Sequence, residues 1–435
     1  MPSLSPHTVL PVGDRRSLTV LDYIAGGGQG EIYRVRLDPG GHIMALKWYH
    51  RGTPLFDGAF RRNIVRNIGI GRPSSAFLWP EIMVDSRPGE PFGYLMAYKP
   101  QGCIDFGKFF CADRHPEAFL HSFMARVTAS LTIADAIARL HARGCTFCDL
   151  NDGCFLIDPH TGNVAICDND NVVPQADSRV IFGKPRYMAP EVAGGFVPTM
   201  ASDLFSLAVI LYRVMAVDHP FEGVKTMSPR YACLTPADEA AIFGPYAVFC
   251  HDTLDRSNAP DPVLNGNSVR FWRVLPPSLR RMFCTALSLR AIRRPADRVA
   301  ADTWKRLMVE QRARLVTCTA VHDEPHDFLC DEAAPSECPI CGGNPGREVW
   351  LRFADGLRYR LTPGKHLYIA DCLEPAGLCC AMPQLGGALG LQNITAGTWM
   401  LIGRDNRSVP VSPGMRFQLM GGCRISFGCT TATIL

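Results

Sequence analysis

The 435-residue chain contains no stretch approaching the roughly 18 uninterrupted apolar residues that a membrane span requires, so no membrane anchor is expected. Its start, MPSLSPHTVLPVGDRR, lacks a charged head followed by an apolar core, which argues against export and for a cytoplasmic location. Lysine and arginine never gather in a run of five, and the net charge is only +4, so neither nucleic acid nor an anionic membrane is an expected partner. Charged residues are 20% and hydrophobic residues 47%, a balance that supplies real cores and excludes dominant disorder. The 18 cysteines, in a long chain without a leader, are expected as buried thiols or metal ligands rather than as disulfides. The length predicts two or three domains.

The first organised stretch, residues 17–49, reads as strand, glycine cluster, strand, DPGG turn and strand ending in Ala45-Leu46-Lys47. A loop that covers phosphates needs small residues, because a Cβ would keep its N–H groups from the oxygens. Gly27 and Gly30 fill the second and third glycine places, with Ala25 at the first. A dinucleotide fingerprint would open a helix here, whereas Glu31-Ile-Tyr-Arg-Val-Arg continues in strand alternation, as in the kinase glycine loop. Lys47 then falls on the strand where a kinase carries the ammonium that contacts ATP.

Residues 118–143 space Phe119, Phe123, Val127, Leu131, Ile137 and Leu140 as a helix that stops at Gly144. Beyond it Asp149 precedes Phe155-Leu-Ile, and Val164-Ala-Ile-Cys167 leads into Asp168. The order resembles the catalytic loop and metal segment of protein kinases, in which one aspartate accepts the hydroxyl proton and the other holds Mg²⁺. Ala189-Pro190-Glu191 resembles the end of an activation segment, and Asp203 the aspartate that anchors the catalytic loop. Arg294 takes the place of the arginine that pairs with Glu191.

Several kinase residues are missing. Phe147-Cys148 stand where His-Arg normally precede the catalytic aspartate, so switching by loop phosphorylation is not expected. Asn151 replaces the loop lysine, and Cys154 the asparagine that binds a second Mg²⁺, a soft thiol in place of a hard oxygen. The metal segment reads Asp168-Asn169-Asp170-Asn171, which makes Asp170 a candidate additional metal ligand. Residues 57–69, the expected regulatory helix, carry no glutamate for Lys47, leaving Asn63 or Asn67 to take that place.

After Trp304 the composition changes. Cys338-Pro-Ile-Cys341-Gly is a zinc knuckle, since its tight turn lets two thiolates converge on one tetrahedral ion. The following Gly342-Gly343-Asn-Pro does not open the helix that a redox pair would need. The second pair of ligands is expected from Cys318 and one histidine, with His322, His326 and Cys330 as the candidates. From Glu348 onward short apolar runs alternate with turns (VWLRF, LRYRL, TWMLI, MRFQLM), an all-β sandwich pattern.

Phe77-Leu-Trp-Pro80, Gly93-Tyr-Leu-Met96, the Asp-x-Asp segment and the cysteine module together resemble one family. These are the bacterial serine/threonine kinases of the tellurite-resistance-associated phosphorylation triad, encoded with a von Willebrand factor A protein and a metal-dependent phosphatase. The resemblance implies ATP bound by Ala25, Gly27, Gly30, Lys47 and Met96, catalysis by Asp149 with Lys47, and Mg²⁺ or Mn²⁺ on Asp168 and Asp170. It also points to His326 as the histidine joining Cys318, Cys338 and Cys341 on structural zinc, because it stands two residues before Phe328. A protein substrate and the two co-encoded proteins are the implied partners. The last segment, through Leu389-Gly-Leu-Gln-Asn393, resembles a forkhead-associated domain. Gly403-Arg404 follows that asparagine instead of preceding it, so partner docking is expected and phosphothreonine reading is not.

The expected fold is α+β: an N-terminal extension (1–17), a two-lobed kinase-like domain (18–310), a zinc-binding module (311–345) and a β-sandwich (346–435). Two functional classes follow, an atypical protein serine/threonine kinase and a nucleotide-binding pseudokinase scaffold. Lys47, Asp149 and Asp168 favour the first; Cys154 and the missing helix glutamate favour the second.

Overall fold

Alternating apolar residues from Val9 to Ala97 pair into one antiparallel sheet. The computed structural model describes all residues except 1, 14, 51–57, 86–90, 112–113, 115–119, 121, 176–182, 228–232, 319–325, 332–336 and 344–345. The strands are β1 (Val9–Val12), β2 (Arg16–Gly26), β3 (Gly30–Asp38), β4 (His42–Tyr49), β5 (Ile82–Asp85) and β6 (Phe92–Ala97). They lie in the order β1-β2-β3-β4-β6-β5. One face buries Leu18, Val20, Val35 and Leu46. The other presents Ala45, Tyr49, Tyr94 and Met96 to Phe60 and Ile64 of helix α1 (Gly58–Ile70). Strand β1 falls inside the segment expected as a separate extension, yet Val9 pairs with Thr19 and Val12 with Arg16, so it completes the sheet edge.

The second lobe is helical. Helix α2 (Phe123–Ala142), capped by the Ser122 side chain on the Ala125 N–H, is buried nearly all round and runs through the centre of the core. It packs against the helix Met200–Ala216, whose Val209, Ile210 and Leu211 are wholly buried, and against the helix Ala301–Arg314. The lobes meet at Phe77-Leu-Trp-Pro80. Phe77 bridges to Ile166, the Leu78 N–H donates to the Ile166 carbonyl at 2.8 Å, and the Trp79 indole donates to the Asn67 carbonyl at 2.8 Å.

The chain after the helix Ala301–Arg314 forms a hairpin, Val316–Thr317 against Asp327–Phe328, and then two stacked sheets. One has six strands with Thr431–Ile434 and Arg424–Ser426 at its centre, the other four with Gly377–Met382 and Ala388–Asn393 at its centre. Their shared core of Leu351, Tyr359, Leu391, Trp399 and Ile425 also takes in Ala313 from the preceding helix. Lys365 is buried and donates to the carbonyls of Ala313 (2.8 Å) and Leu315 (2.6 Å), closing the orphan acceptors at that helix's C-terminus. Lys305 reaches both Asp135 of α2 (2.8 Å) and Asp371 of the sandwich (2.5 Å).

Candidate nucleotide and zinc sites

The interlobe cleft, about 370 Å³, is lined by residues 25–30, Ile32, Lys47, Asp149, Asn151, Gly153, Asp168, Asn171 and Lys184. The turn between β2 and β3 closes with the Gly27 N–H on the Gly30 carbonyl at 2.9 Å. The two glycines serve different ends. A Cβ on Gly27 would meet nothing within 4 Å, leaving its backbone open to the cleft, whereas one on Gly30 would lie 2.5 Å from the Trp48 carbonyl oxygen. Met96 is buried in β6 opposite Ala45, behind the cleft rather than among the residues lining it.

Lys47 is nearly enclosed, and its ammonium meets two carboxylates, Asp168 Oδ1 at 3.0 Å and Asp170 Oδ2 at 2.8 Å. Burial opposes its charge, but Asp170 and then Asp168 outweigh burial and hold its pKa well above the usual lysine range. Asn63 and Asn67, expected on Lys47, are elsewhere. Asn63 donates to the carbonyls of Asp170 (3.0 Å) and Val172 (2.8 Å), and Asn67 to that of Val172 (3.0 Å). Both amides dock helix α1 onto the backbone of the metal segment. Asp170 itself is fully buried and accepts from the Tyr49 hydroxyl at 2.6 Å, while the Asp168 side chain, on a left-handed residue, is 52% exposed toward the cleft.

Asp149 is steadied by Asn151, whose amide donates to its Oδ1 at 2.8 Å and whose own oxygen accepts from the Gly153 N–H at 2.9 Å. Burial raises the Asp149 pKa to about 6, although the Asn151 amide and the Lys184 N–H pull it back. Beneath the loop, Asp203 accepts from the N–H groups of Phe147 (2.7 Å) and Cys148 (3.0 Å) and meets His141 Nε2 at 3.0 Å. This is the anchoring read from Ser202-Asp203, with an imidazole supplied by α2. The Cys154 thiol is buried and points to the Asp149 carbonyl oxygen at 3.2 Å.

Glu191 does not pair with Arg294, which is exposed. Its partner is Arg298, through two bonds of 2.6 and 2.7 Å; Arg298 also donates to the carbonyls of Ala201, Ala291 and Ile292. The turn Pro295–Asp297 swings the chain inward so that the arginine beyond it, not the one before it, enters the core. Sequence reasoning also missed Lys184. It lines the same cleft, bonded to Asp152 at 2.7 Å, and the neighbouring Gly183 leaves no room for a Cβ, which would stand 2.6 Å from Asp149 Oδ1. Its signal is a lysine directly after Gly183, in a chain where Asn151 stands in the place of the usual loop lysine.

In the C-terminal module the ligand atoms of Cys318, His326, Cys338 and Cys341 lie within 4.8 Å of one another. Cys318 Sγ is 3.6 Å from Cys341 Sγ, and His326 Nε2 is 3.2 Å from Cys338 Sγ. Gly342, at φ +74°, turns the knuckle so that the N–H groups of Ile340 and Gly343 point at Cys338 and Cys341 sulfur. The Gly343 N–H draws the Cys341 thiol below its ordinary pKa. Of the alternatives, Cys330 is turned away, between the Arg314 carbonyl and the Arg360 guanidinium, and His322 lies outside the described residues. Three thiols and an imidazole form a donor set suited to Zn²⁺.

Comparison with known proteins agrees with this layout. Residues 114–243 match the family model of the protein kinase domain. The chain is 30% identical over 238 residues to the DNA damage-responsive serine/threonine-protein kinase RqkA of Deinococcus radiodurans, covering 52% of this chain and 33% of that protein. It is 23% identical over 219 residues to the serine/threonine-protein kinase PrkC of Bacillus subtilis (48% and 32%), and 29% identical over 150 residues to Pkn1 of Myxococcus xanthus (32% and 22%). The chain thus spans at most a third of the length of these relatives. Among the described residues no helix is long and apolar enough to cross a membrane. With the glycine loop, Lys47, Asp149 and Asp168 on one cleft and the family match across the helical lobe, the chain carries a protein kinase domain related to those of bacterial serine/threonine kinases.

Proposed function

We propose that the chain transfers the γ-phosphate of ATP to serine or threonine of a partner protein. The observation that carries this reading is the convergence of Lys47, Asp149 and Asp168 on the cleft beneath the glycine loop. In it Gly27 leaves the loop backbone open to the phosphates, Lys47 contacts them, and Asp149 orients the substrate hydroxyl and takes its proton. A pKa near 6 suits that base, since it is ionised at neutral pH yet desolvated. Lys184 adds a second ammonium to the lining of the cleft. The half-exposed Asp168 carboxylate, with the Asn171 amide on the same cleft, offers hard oxygens to Mg²⁺, which when bound neutralises phosphate charge.

Phosphotransfer from labelled ATP with Mg²⁺ or Mn²⁺, to self and to a generic substrate, tests the proposal. Activity present in wild type and lost in Asp149→Asn and Lys47→Met is the expected result. One observation favours a pseudokinase scaffold instead: the Cys154 thiol faces the Asp149 carbonyl and offers no oxygen to a second metal ion. Nucleotide-dependent thermal stabilisation without transfer would establish that reading.

The four-residue cluster would hold structural zinc, and the sandwich would dock a partner. Two side chains that the forkhead-associated resemblance brings forward are spent internally, which supports docking without phosphothreonine reading. Asn393 donates to the carbonyls of Gly397 and Val411, and Arg404 to that of Gly421 at 2.8 Å. A von Willebrand factor A protein and a metal-dependent phosphatase are the partners implied by the family resemblance; co-purification with the sandwich intact but not deleted would support them.

A further inference from the structure

Helix α1 contains neither aspartate nor glutamate from Gly58 to Ile70, so the element that ordinarily supplies the counter-ion of a kinase lysine cannot do so here. The charge comes from the metal segment. Lys47 and Tyr49 stand two apart on β4, so both side chains leave the same face of the sheet. The ammonium (2.8 Å) and the hydroxyl (2.6 Å) converge on one oxygen, Asp170 Oδ2. The segment that carries it is held from both sides. Asn169 donates to the carbonyls of Leu78 (2.9 Å) and Ile166 (3.0 Å), and Asn63 to those of Asp170 and Val172.

We propose that Asp170 is the positioning counter-ion of Lys47, replacing the helix glutamate, and that the Asp-Asn-Asp segment therefore divides two tasks between its carboxylates. Asp168, 52% exposed, faces the nucleotide and metal; Asp170, wholly enclosed, holds the lysine. A fully enclosed oxygen beside an ammonium is a poor ligand for Mg²⁺, which keeps several waters and is repelled by that charge. Asp170 Oδ1, the atom that a metal would have to use, is likewise buried. The ion pair thus forms with the metal segment itself and does not depend on a swing of helix α1, whose asparagines bind backbone rather than lysine.

This inference rests on the proposed nucleotide site, and it is tested by binding rather than turnover. ATP affinity is measured by calorimetry for wild type, Asp170→Asn, Lys47→Gln and the double variant, in magnesium-free buffer and at saturating Mg²⁺. Asp170→Asn should weaken ATP by about tenfold or more, by the same factor in both buffers, and should add little on top of Lys47→Gln. A loss confined to the magnesium arm, or effects that multiply in the double variant, would overturn it. Should Asp170→Asn not fold, Tyr49→Phe removes the bond that steadies the carboxylate, and a few-fold loss independent of Mg²⁺ is expected; a loss only with Mg²⁺ again overturns the assignment. A wild type that binds ATP yet fails to transfer phosphate defeats the kinase reading alone.

Discussion

Replacing Asp149 by asparagine should abolish phosphotransfer and at the same time make the protein more stable above pH 6. Burial lifts this carboxyl from 3.8 to about 6 in the folded chain, so the folded state binds the proton more tightly than the unfolded one. Between those two values the folded state holds more protons, and stability therefore falls as pH rises. Above pH 6 the full cost remains, about 2 pKa units or roughly 3 kcal/mol. Asparagine removes the charge and keeps an oxygen for the Asn151 amide, which now reaches Oδ1 at 2.8 Å. For a domain of this size roughly 2 °C accompanies each kcal/mol, so the variant should melt about 6 °C higher at pH 8. The gain should shrink to about half at pH 5, where the wild-type carboxyl is mostly protonated. Scanning calorimetry in magnesium-free, nucleotide-free buffer reads both values, and a radiolabel assay should show at least about a hundredfold loss of transfer. An unchanged melting temperature at pH 8, or a gain that does not diminish at pH 5, would refute the claim that Asp149 is held desolvated.

Three further outcomes are expected. Arg298→Ala strips Glu191 of both its bonds and leaves the carbonyls of Ala201, Ala291 and Ile292 without their donor, so denaturant unfolding should show a loss of about 3–5 kcal/mol, whereas Arg294→Ala should be near neutral. Protein purified without chelator should carry one equivalent of zinc by elemental analysis, falling below half in Cys341→Ser; a metal-free wild type would refute the site. Lys184→Met should lower transfer by about tenfold or more with little change in melting temperature, since its ion pair with Asp152 is largely exposed on the lysine side; unchanged kinetics would remove it from the phosphate site.

The parts of this molecule that could be read from its sequence are those whose logic runs along the chain. The glycine loop is legible because a strand, not a helix, follows Gly30, and the Cys338 knuckle because its turn is made by the next two residues. Asp203 is legible because its partners are backbone N–H groups fixed by the loop it anchors. What escaped depends on rotation and packing between distant segments. Whether Asn63 or Asp170 meets Lys47 is decided by which face of α1 points inward and by where residue 170 leaves the segment 121 residues beyond Tyr49. Arg294 and Arg298 are separated by one short turn, and only the direction of that turn distinguishes a solvent-facing arginine from a buried one. Strand β1 reads as part of an N-terminal extension because Val9-Leu-Pro-Val12 is short and holds a proline, which leaves little strand signal until an edge is there to receive it.

The sandwich is not strung on a tether. Ala313 sits in its core, Lys365 seals the end of the helix Ala301–Arg314, and Lys305 ties Asp371 to Asp135 of α2. A flexible linker would give any docked protein a broad cloud of positions, and the local concentration of its hydroxyls near Asp149 would then follow linker length. Here the sandwich and the cleft belong to one solid frame. If the sandwich docks a substrate as proposed, which of that partner's residues can be phosphorylated becomes a question of reach and angle, so that moving a target serine by a few residues along it should switch its modification on or off rather than scale it.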